Sequence, residues 1–519
     1  MHTIIRVLKT IFLPHLASDA ENKFNKENSQ HWEPSIGTPG VLIETALSTP
    51  ASLTEKFLIA KLIEKKTGMS SIVLLNSIYR QASSAYGVAS SFGMSNFICW
   101  WRGYFNLLLV FRCIASTLIL IRSTSHGEAL LALKINGVHI GDLVYDTLIR
   151  YRPNCYTVRE LRFREHFRLI FRAIYNFHRA SKIFERYNIK AVVTSHSVYA
   201  EFGILCRIAH AKGAVVFLKD MDVFRVYEQK SNIYEHFLRI NPDELSGGLH
   251  NPEVVKTADE YFDRRLGGKI DQVDLKNAYT NKRMYDKSEL LRLVGVNEEK
   301  KCVFVMAHAF SDAPHVGGKL AFADYYVWLR ETLRALSENN KVNVFVKPHP
   351  SSYMWGERGA VETLLDEIGV KNVYVTPKDL NTLSIRKIAD YVVTARGTAG
   401  LEYSGFGIPA LTCGEGYYSG FGVAIEANSS ASYIKLLTEI TELEPLDAVV
   451  SRKARVLLYL TFTKLSRSSI APSRHIYPGD NAEILIPQHF EEMTFKLRER
   501  GSYQDEFYAT VTEAISRAF

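Results

Sequence analysis

Short apolar runs alternate with amphipathic stretches along most of the chain. Residues 40–45 and 70–76 are apolar runs of strand length, and residues 53–66 between them have helical periodicity. A strand, helix, strand order at this spacing predicts a βαβ unit with a parallel sheet. Residues 189–194 and 214–218 flank another helical pattern and predict a second such unit.

The same alternation recurs in the second half of the chain. Residues 301–306, 342–346 and 391–394 are apolar runs, and each stops at a cluster of small, polar or cationic residues. Such runs are typical of buried parallel strands. Because ligands of open α/β sheets bind at the carboxyl ends of the strands, these clusters predict a binding edge.

The chain of 519 residues is too long for one ordinary domain. We expect an α/β protein with two Rossmann-like domains that face each other, followed by a helical tail. The predicted boundaries are a lead-in at 1–39, a first domain at 40–295, a second domain at 296–445 and a C-terminal helical tail at 446–519.

Residues 94–122 are the most apolar part of the chain, but Arg102, Asn106 and Arg112 interrupt them. The longest run without charge is too short to span a bilayer comfortably. The pattern favours a buried helix or strand pair of the first domain. An interfacial segment, in which Trp100 and Trp101 lie beside arginines, is the alternative.

Bulk composition narrows the function class only moderately. The apolar fraction is 47%, which indicates a globular chain, and the net charge is +8. This mild excess suits an anionic membrane face or an anionic sugar nucleotide, and does not by itself indicate nucleic acid. The six cysteines are scattered without a CxxC pair, so we expect neither disulfides nor zinc, and a cytoplasmic protein. The N-terminus has no clear cleavage site and predicts a short amphipathic segment.

Cations and a small-residue turn at two strand ends suit a phosphate group. Glu402 lies about one helical turn further on and is a candidate acceptor for ribose hydroxyls. There are two structural alternatives. His349 could only form hydrogen bonds with the nearby backbone, and the small residues of the turn could only pack a strand against a helix. The candidate donor-binding residues are Lys347, His349, Arg396, Gly397, Thr398 and Glu402.

The sequence GTAGLEYSGFGIPALTCGEGYYSGFGVA, which starts at Gly397, resembles bacterial capsule polysaccharide biosynthesis proteins, including the β-Kdo transferases that use CMP-Kdo. Tyr418 and Gly420 lie in the Tyr-x-Gly-aromatic-Gly segment of that resemblance. The wider pattern is similar to GT-B-like glycosyltransferases. This implies that the second domain holds a nucleotide sugar, which in the β-Kdo transferases is CMP-linked, and that no metal is needed. Contact with the donor or acceptor is expected from His308, Asp312 and His196.

Glycosyl transfer needs a base or a carboxylate nucleophile. Asp142 and Asp146 are four residues apart, hence on one helical face, and are the candidates of the first domain. The resemblance to β-Kdo transferases implies retention of configuration through an aspartate. Which of the two corresponds stays open, as does a purely structural acidic pair. His349 is a further catalytic candidate because it can protonate a leaving group.

The sequence therefore predicts a glycosyltransferase that moves a sugar, with Kdo one candidate, from a nucleotide donor to a surface polysaccharide or glycolipid acceptor. We expect a cytoplasmic protein that lies peripherally on the inner membrane and binds no nucleic acid. The alternatives are an isomerase like the UDP-sugar 2-epimerases, a polyol-phosphate transferase of teichoic-acid type, and a non-catalytic polysaccharide assembly protein.

Overall fold

The structure is a computed structural model that describes residues 13–237, 239–269, 278–279, 281–296, 299–464, 466–477 and 479–519. The chain divides into two units. Unit 1 comprises Met1–Thr147, Glu160–Ile233 and Leu465–Phe519, and unit 2 comprises Leu148–Arg159 and Tyr234–Lys464.

Unit 1 is built on a six-stranded sheet in the order β3-β2-β1-β6-β7-β8. All neighbouring strands are parallel except β7 and β8, which form an antiparallel pair. A separate antiparallel hairpin joins β4 and β5. The strands are β1 Pro39–Glu44, β2 Ser70–Leu75, β3 Asn96–Cys99, β4 Lys134–Ile135, β5 Val138–His139, β6 Ala191–Thr194, β7 Val215–Asp220 and β8 Val223–Tyr227.

Unit 2 is built on a fully parallel sheet in the order β11-β10-β9-β12-β13-β14. In both sheets the strand order reverses next to the first strand, between β1 and β6 and between β9 and β12. This order confirms the predicted Rossmann-like α/β class, and it places a crevice at each reversal point. The strands are β9 Lys301–Met306, β10 Val342–Lys347, β11 Val373–Val375, β12 Tyr391–Val393, β13 Ala410–Thr412 and β14 Ile425–Glu426.

Helices cover both sheets. Those of the first half are α1 Asp19–Asn28, α2 Pro50–Thr67, α3 Ala85–Ser91, α4 Leu107–Ser123, α5 Gly141–Tyr151, α6 Phe163–Arg186, α7 Ile204–Ala211, α8 Pro242–His250 and α9 Pro252–Leu266. Those of the second half are α10 Lys287–Val294, α11 Tyr325–Ser337, α12 Ala360–Ile368, α13 Thr382–Ile388, α14 Thr398–Ser404, α15 Ser430–Thr438, α16 Ala448–Thr463, α17 Ala482–Arg500 and α18 Glu506–Ala518.

The observed division of the chain differs from the predicted boundary near residue 296. Helices α8 and α9 already belong to unit 2, where α9 packs on α16 through Ala258, Tyr261 and Phe262. The predicted tail at 446–519 is also divided. Helix α16 stays in unit 2, whereas α17 and α18 bury Phe490, Val511 and other side chains in the core of unit 1. Such long-range packing leaves no local signal in the sequence.

Residues 94–122 form β3, a 3₁₀ segment at Trp100–Phe105 and most of helix α4. The expectation of a buried segment holds for one side of α4 only, because Leu107 and Phe111 are exposed. Among the described residues, no helix has the length and apolarity that crossing a bilayer requires.

Candidate functional site

The turn after β12 holds a buried cation at the reversal point of the second sheet. The side chain of Arg396 is buried, and its Nη2 donates to the Lys319 carbonyl at 3.3 Å. Among the described residues, its Nε and Nη1 have no hydrogen-bond partner, and no carboxylate pairs with this guanidinium. It can therefore supply several hydrogen bonds and one positive charge to an anion.

Two glycines allow the surrounding loops to close on Arg396. A Cβ at Gly317 would lie 2.3 Å from Arg396 Nη1, and one at Gly414 would lie 2.8 Å from Nε. An antiparallel bridge between Leu320 and Gly414 holds these loops together. Any side chain at either glycine would push the guanidinium away.

His308 follows β9 and faces the same turn. Its ring stacks on Tyr325 with the centroids 4.2 Å apart and meets Trp328 edge to face. Nε2 lies 3.1 Å from Thr394 Oγ1 and accepts from the backbone N–H of Arg396 at 3.4 Å. Burial, with the charges of His349 and Arg396, lowers the pKa of His308 well below its usual value. His308 is therefore neutral, and it positions the turn rather than carrying charge.

Lys347, the last residue of β10, is a second buried cation. Burial, and then the nearby charge of Lys282, lower the pKa of Lys347 from 10.5 to about 8. No carboxylate offsets this charge within the part of the chain that the structure describes. Lys347 is thus a cation whose protonated form an anionic ligand would stabilise.

His349 lies two residues beyond Lys347, next to His308. Its Nδ1 accepts from the backbone N–H of Ser351 at 3.3 Å, and its ring meets Trp355 edge to face. With Nδ1 as acceptor, the proton of the neutral ring is on Nε2. That tautomer can donate to a phosphate or a leaving oxygen.

Two tyrosines form hydrogen bonds to the turn at Gly397 and Thr398. Tyr417 donates to Thr398 Oγ1, and Tyr418 donates to the Gly397 carbonyl at 2.8 Å. Tyr418 is almost fully buried, so the role that the structure supports is fixing the turn. Its predicted donor contact stays a prediction. Gly420 lies further along this segment, and its N–H donates to Glu426 at 2.8 Å.

Glu402 has a structural partner. Its Oε1 accepts from Arg265 Nε at 3.0 Å, and both side chains are buried. The predicted ribose contact stays a prediction, but the ion pair with α9 already accounts for this carboxylate. Asp312 lies in the exposed part of the loop after β9, and its backbone N–H donates to the Ala309 carbonyl at 3.2 Å.

The predicted aspartates lie on α5 within unit 1, and both are buried. Asp142 Oδ2 accepts from Arg207 Nη2 at 2.6 Å, and His139 Nδ1 lies 3.5 Å from Oδ1. The carboxylate of Asp142 is therefore held in place by its contact with Arg207. Asp146 lies one turn further along the same helical face.

His196 follows β6 in unit 1, and its Nδ1 lies 3.1 Å from Asp220 Oδ2. Burial lowers the pKa of His196, but the hydrogen bond and charge of Asp220 outweigh it, so the pKa is raised. Unit 1 thus has its own histidine–carboxylate pair at a strand end.

A cleft opens at the carboxyl edge of the first sheet, entirely within unit 1. Its walls include Glu44, Asn76 and Trp100, together with Asn176 from α6. The amide oxygen of Asn176 is buried and has no hydrogen-bond partner among the described residues. The cleft thus combines an aromatic ring with an oxygen that can accept a hydrogen bond from a ligand hydroxyl.

Sequence reasoning missed several residues that shape these sites. Only tertiary contacts identify the rings of Tyr325 and Trp328 around His308, and the amide of Asn176. Thr394 had a signal, since it is the polar residue that ends the apolar run of β12.

Residues 273–450 match the family described as "Capsule polysaccharide biosynthesis protein". A comparison with curated protein sequences found no match. The family match covers unit 2's sheet and the Arg396 turn, and it supports the predicted enzyme class, a glycosyltransferase.

Solved structures similar to the chain include three of low identity. The beta Kdo 2,4 transferase KpsC of Thermosulfurimonas dismutans has 14% identity, a TM-score of 0.33 and coverage of 52% of this chain and 79% of its own. A glycosyltransferase from Rickettsia africae has 8% identity, a TM-score of 0.25 and coverage of 89% and 99%. UDP-GlcNAc 2-epimerase from Neisseria meningitidis has 10% identity, a TM-score of 0.24 and coverage of 89% and 98%. The resemblance predicted from residues 397–424 is thus confirmed by the family match: over residues 273–450 the chain is similar to capsule polysaccharide biosynthesis proteins.

Proposed function

We propose that this protein transfers a sugar from a nucleotide donor, bound at the carboxyl edge of the second sheet, to a surface polysaccharide or glycolipid acceptor. One observation carries the proposal. Lys347 ends β10 and Arg396 follows β12, the two strands that flank β9, and neither buried cation has a carboxylate partner among the described residues. Burying an unpaired charge is costly, so such a pair is typical of a site that receives an anion.

The proposed donor chemistry follows from the groups at this edge. The phosphate of a nucleotide sugar would pair with Arg396 and Lys347, which stabilise the charge that develops on the leaving group. His349, with its proton on Nε2, would donate to the leaving oxygen. Kdo, carried by CMP, is the sugar that the sequence resemblance implies, and no metal is needed when cations neutralise the phosphate.

The proposed acceptor side lies in unit 1, at the cleft with Trp100 and Asn176. Asp142 and Asp146 on α5 are both candidates for the nucleophile or base. Asp142 pairs with Arg207 at 2.6 Å, which fixes the position of its carboxylate.

The experiment that tests the donor site is a thermal-shift screen of the full chain with CMP, UDP, GDP and CDP. Stabilisation by CMP alone supports a donor of the Kdo or sialic acid type, and stabilisation by CDP alone favours a polyol-phosphate transferase. No response to any nucleotide would overturn the donor assignment and favour a non-catalytic assembly protein. Turnover of a UDP-sugar without acceptor would instead identify an isomerase.

Replacement of His349 tests the chemistry separately from binding. We expect His349→Ala to lower the transfer rate about 10²- to 10⁴-fold, the range of general acid catalysis, with the melting temperature unchanged. His178→Ala in unit 1 is the matched control, because that partly buried histidine lies outside the proposed site. Transfer at the wild-type rate would remove His349 from the mechanism.

A further inference from the structure

Helix α4 has an apolar side that the described residues of unit 1 leave exposed. Leu109, Cys113 and Thr117 form its buried side, and α4 packs on α6. On the other side Leu108, Phe111 and Ile119 are 63%, 66% and 67% exposed. These positions recur at helical spacing, so they form one continuous stripe along the helix.

The charged residues of α4 and of the chain before it have a single sign. The chain contains no Asp or Glu between Glu64 and Glu128. Arg112 and Arg122 are exposed on α4, and Arg102 is exposed just before it. An apolar helix face whose own charged residues are all cations complements a surface that is apolar inside and anionic at its boundary.

We propose that the exposed face of α4 docks on the surface of a bilayer that contains anionic lipid. The helix would lie in the interface, with Leu108, Phe111 and Ile119 among the acyl chains and the arginines at the phosphates. A second copy of the chain is a poorer occupant, because a two-fold contact would bring arginines of the same sign together.

This position suits the proposed acceptor, although the inference does not rest on it. Helix α6, on which α4 packs, supplies Arg172 and Asn176 to the wall of the cleft in unit 1. A glycolipid held in the bilayer would therefore reach the cleft from the side on which α4 docks.

The test is flotation of the full chain with two kinds of vesicle. One contains phosphatidylglycerol with phosphatidylethanolamine, and the other contains only phosphatidylcholine. We expect the wild type to float with the anionic vesicles, at least about tenfold more than with the neutral ones, and less so at high salt. Equal flotation with both, or none with the anionic vesicles, would overturn the proposal.

Two variants decide whether α4 is responsible. Phe111→Asp should reduce binding to anionic vesicles about tenfold, because it places a carboxylate in the apolar stripe. Phe495→Asp on α17 is the matched control: Phe495 is 65% exposed, but Glu491 and Glu499 lie one turn away on either side of it, so its replacement should change nothing. Circular dichroism would check that both variants fold.

Light scattering without lipid tests whether a second copy of the chain, rather than a membrane, covers this face of α4. A wild-type dimer that Phe111→Asp converts to a monomer would assign the face to a second copy and overturn the membrane proposal. An unchanged oligomeric state together with lost flotation would support it.

Discussion

In unit 1 the buried cations are paired with carboxylates, whereas the two buried cations at the edge of the second sheet are not. Lys219 of unit 1 lies 3.0 Å from Glu55, in a fully buried pair. Arg396 and Lys347 of unit 2 have no such partner in the described part of the chain. The other buried pairs among the described residues of unit 1 are Lys56 with Glu44, Lys61 with Glu64 and Arg207 with Asp142.

This difference distinguishes buried charges that stabilise the fold from buried charges that are available to bind a ligand. A buried pair compensates the cost of leaving water, so its function is complete within the chain. An unpaired buried cation carries that cost in the free protein, and a bound anion removes it. Unit 2 also contains a buried cation that is paired with a carboxylate, Arg265 with Glu402. The contrast is therefore a property of the site rather than of the unit.

Breaking a pair in unit 1 should have the largest effect. Lys219→Met leaves the Glu55 carboxylate buried without its partner, and we expect unfolding free energy to fall by about 3–5 kcal/mol. Urea denaturation would measure it. The double variant with Glu55→Gln should recover part of the loss, and a loss under about 1 kcal/mol for the single variant would contradict the assignment.

Removal of an unpaired buried cation should raise, not lower, the stability of the free protein. Folding lowers the pKa of Lys347 from 10.5 to about 8, so the charged form is disfavoured in the folded state. The penalty is fully present below about pH 8 and disappears as the pH rises toward 10.5. Lys347→Met should therefore stabilise the free protein by up to roughly 3 kcal/mol at pH 7, and progressively less above pH 8. Unfolding of both proteins across this pH range measures it, and a destabilised variant would show that Lys347 has a hidden partner.

Arg396→Met should leave folding intact and weaken nucleotide binding. Loss of charge-assisted hydrogen bonds to a phosphate corresponds to about 2–3 kcal/mol, or roughly 10²-fold in Kd. Isothermal titration with the nucleotide found by the screen would measure it. Arg330→Met, which removes an arginine already paired with Glu331 at 2.7 Å, is the control. Equal nucleotide affinity of Arg396→Met and wild type would show that Arg396 does not bind the phosphate.

The smallest expected effect is on the pH dependence of binding. Because only protonated Lys347 pairs with phosphate, affinity should be constant below about pH 8 and then fall about tenfold per pH unit. Lys347→Arg should flatten this profile, because arginine stays charged. A wild-type profile that is already flat would exclude Lys347 from the phosphate contact.

Much of the second sheet was predictable from local pattern. The run at 342–346 is β10 Val342–Lys347, and the run at 391–394 is β12 Tyr391–Val393. Apolar runs of this length identify buried strands because burial on both faces leaves no polar position. The residues after them do meet at one edge, since the carboxyl ends of parallel strands share it.

The roles of individual residues at that edge were less predictable. Glu402 and Tyr418 have the sequence context of ligand contacts, yet one pairs with Arg265 and the other supports Gly397. A short motif fixes the backbone of a turn, whereas the direction and partners of its side chains depend on α9 and on the following segment. Partners distant in the chain leave no periodicity to detect.

The sequence by itself determined two Rossmann-like α/β sheets, a cationic edge on the second sheet and the resemblance to capsule polysaccharide biosynthesis proteins. These follow from the order of apolar runs and from residues adjacent in the chain. Only the tertiary structure decided that α17 and α18 return to unit 1, that α4 is exposed on one side and that Arg396 has no carboxylate partner among the described residues. Exposure and pairing depend on which segments pack together, and an apolar helix has the same composition against a core as against a lipid surface.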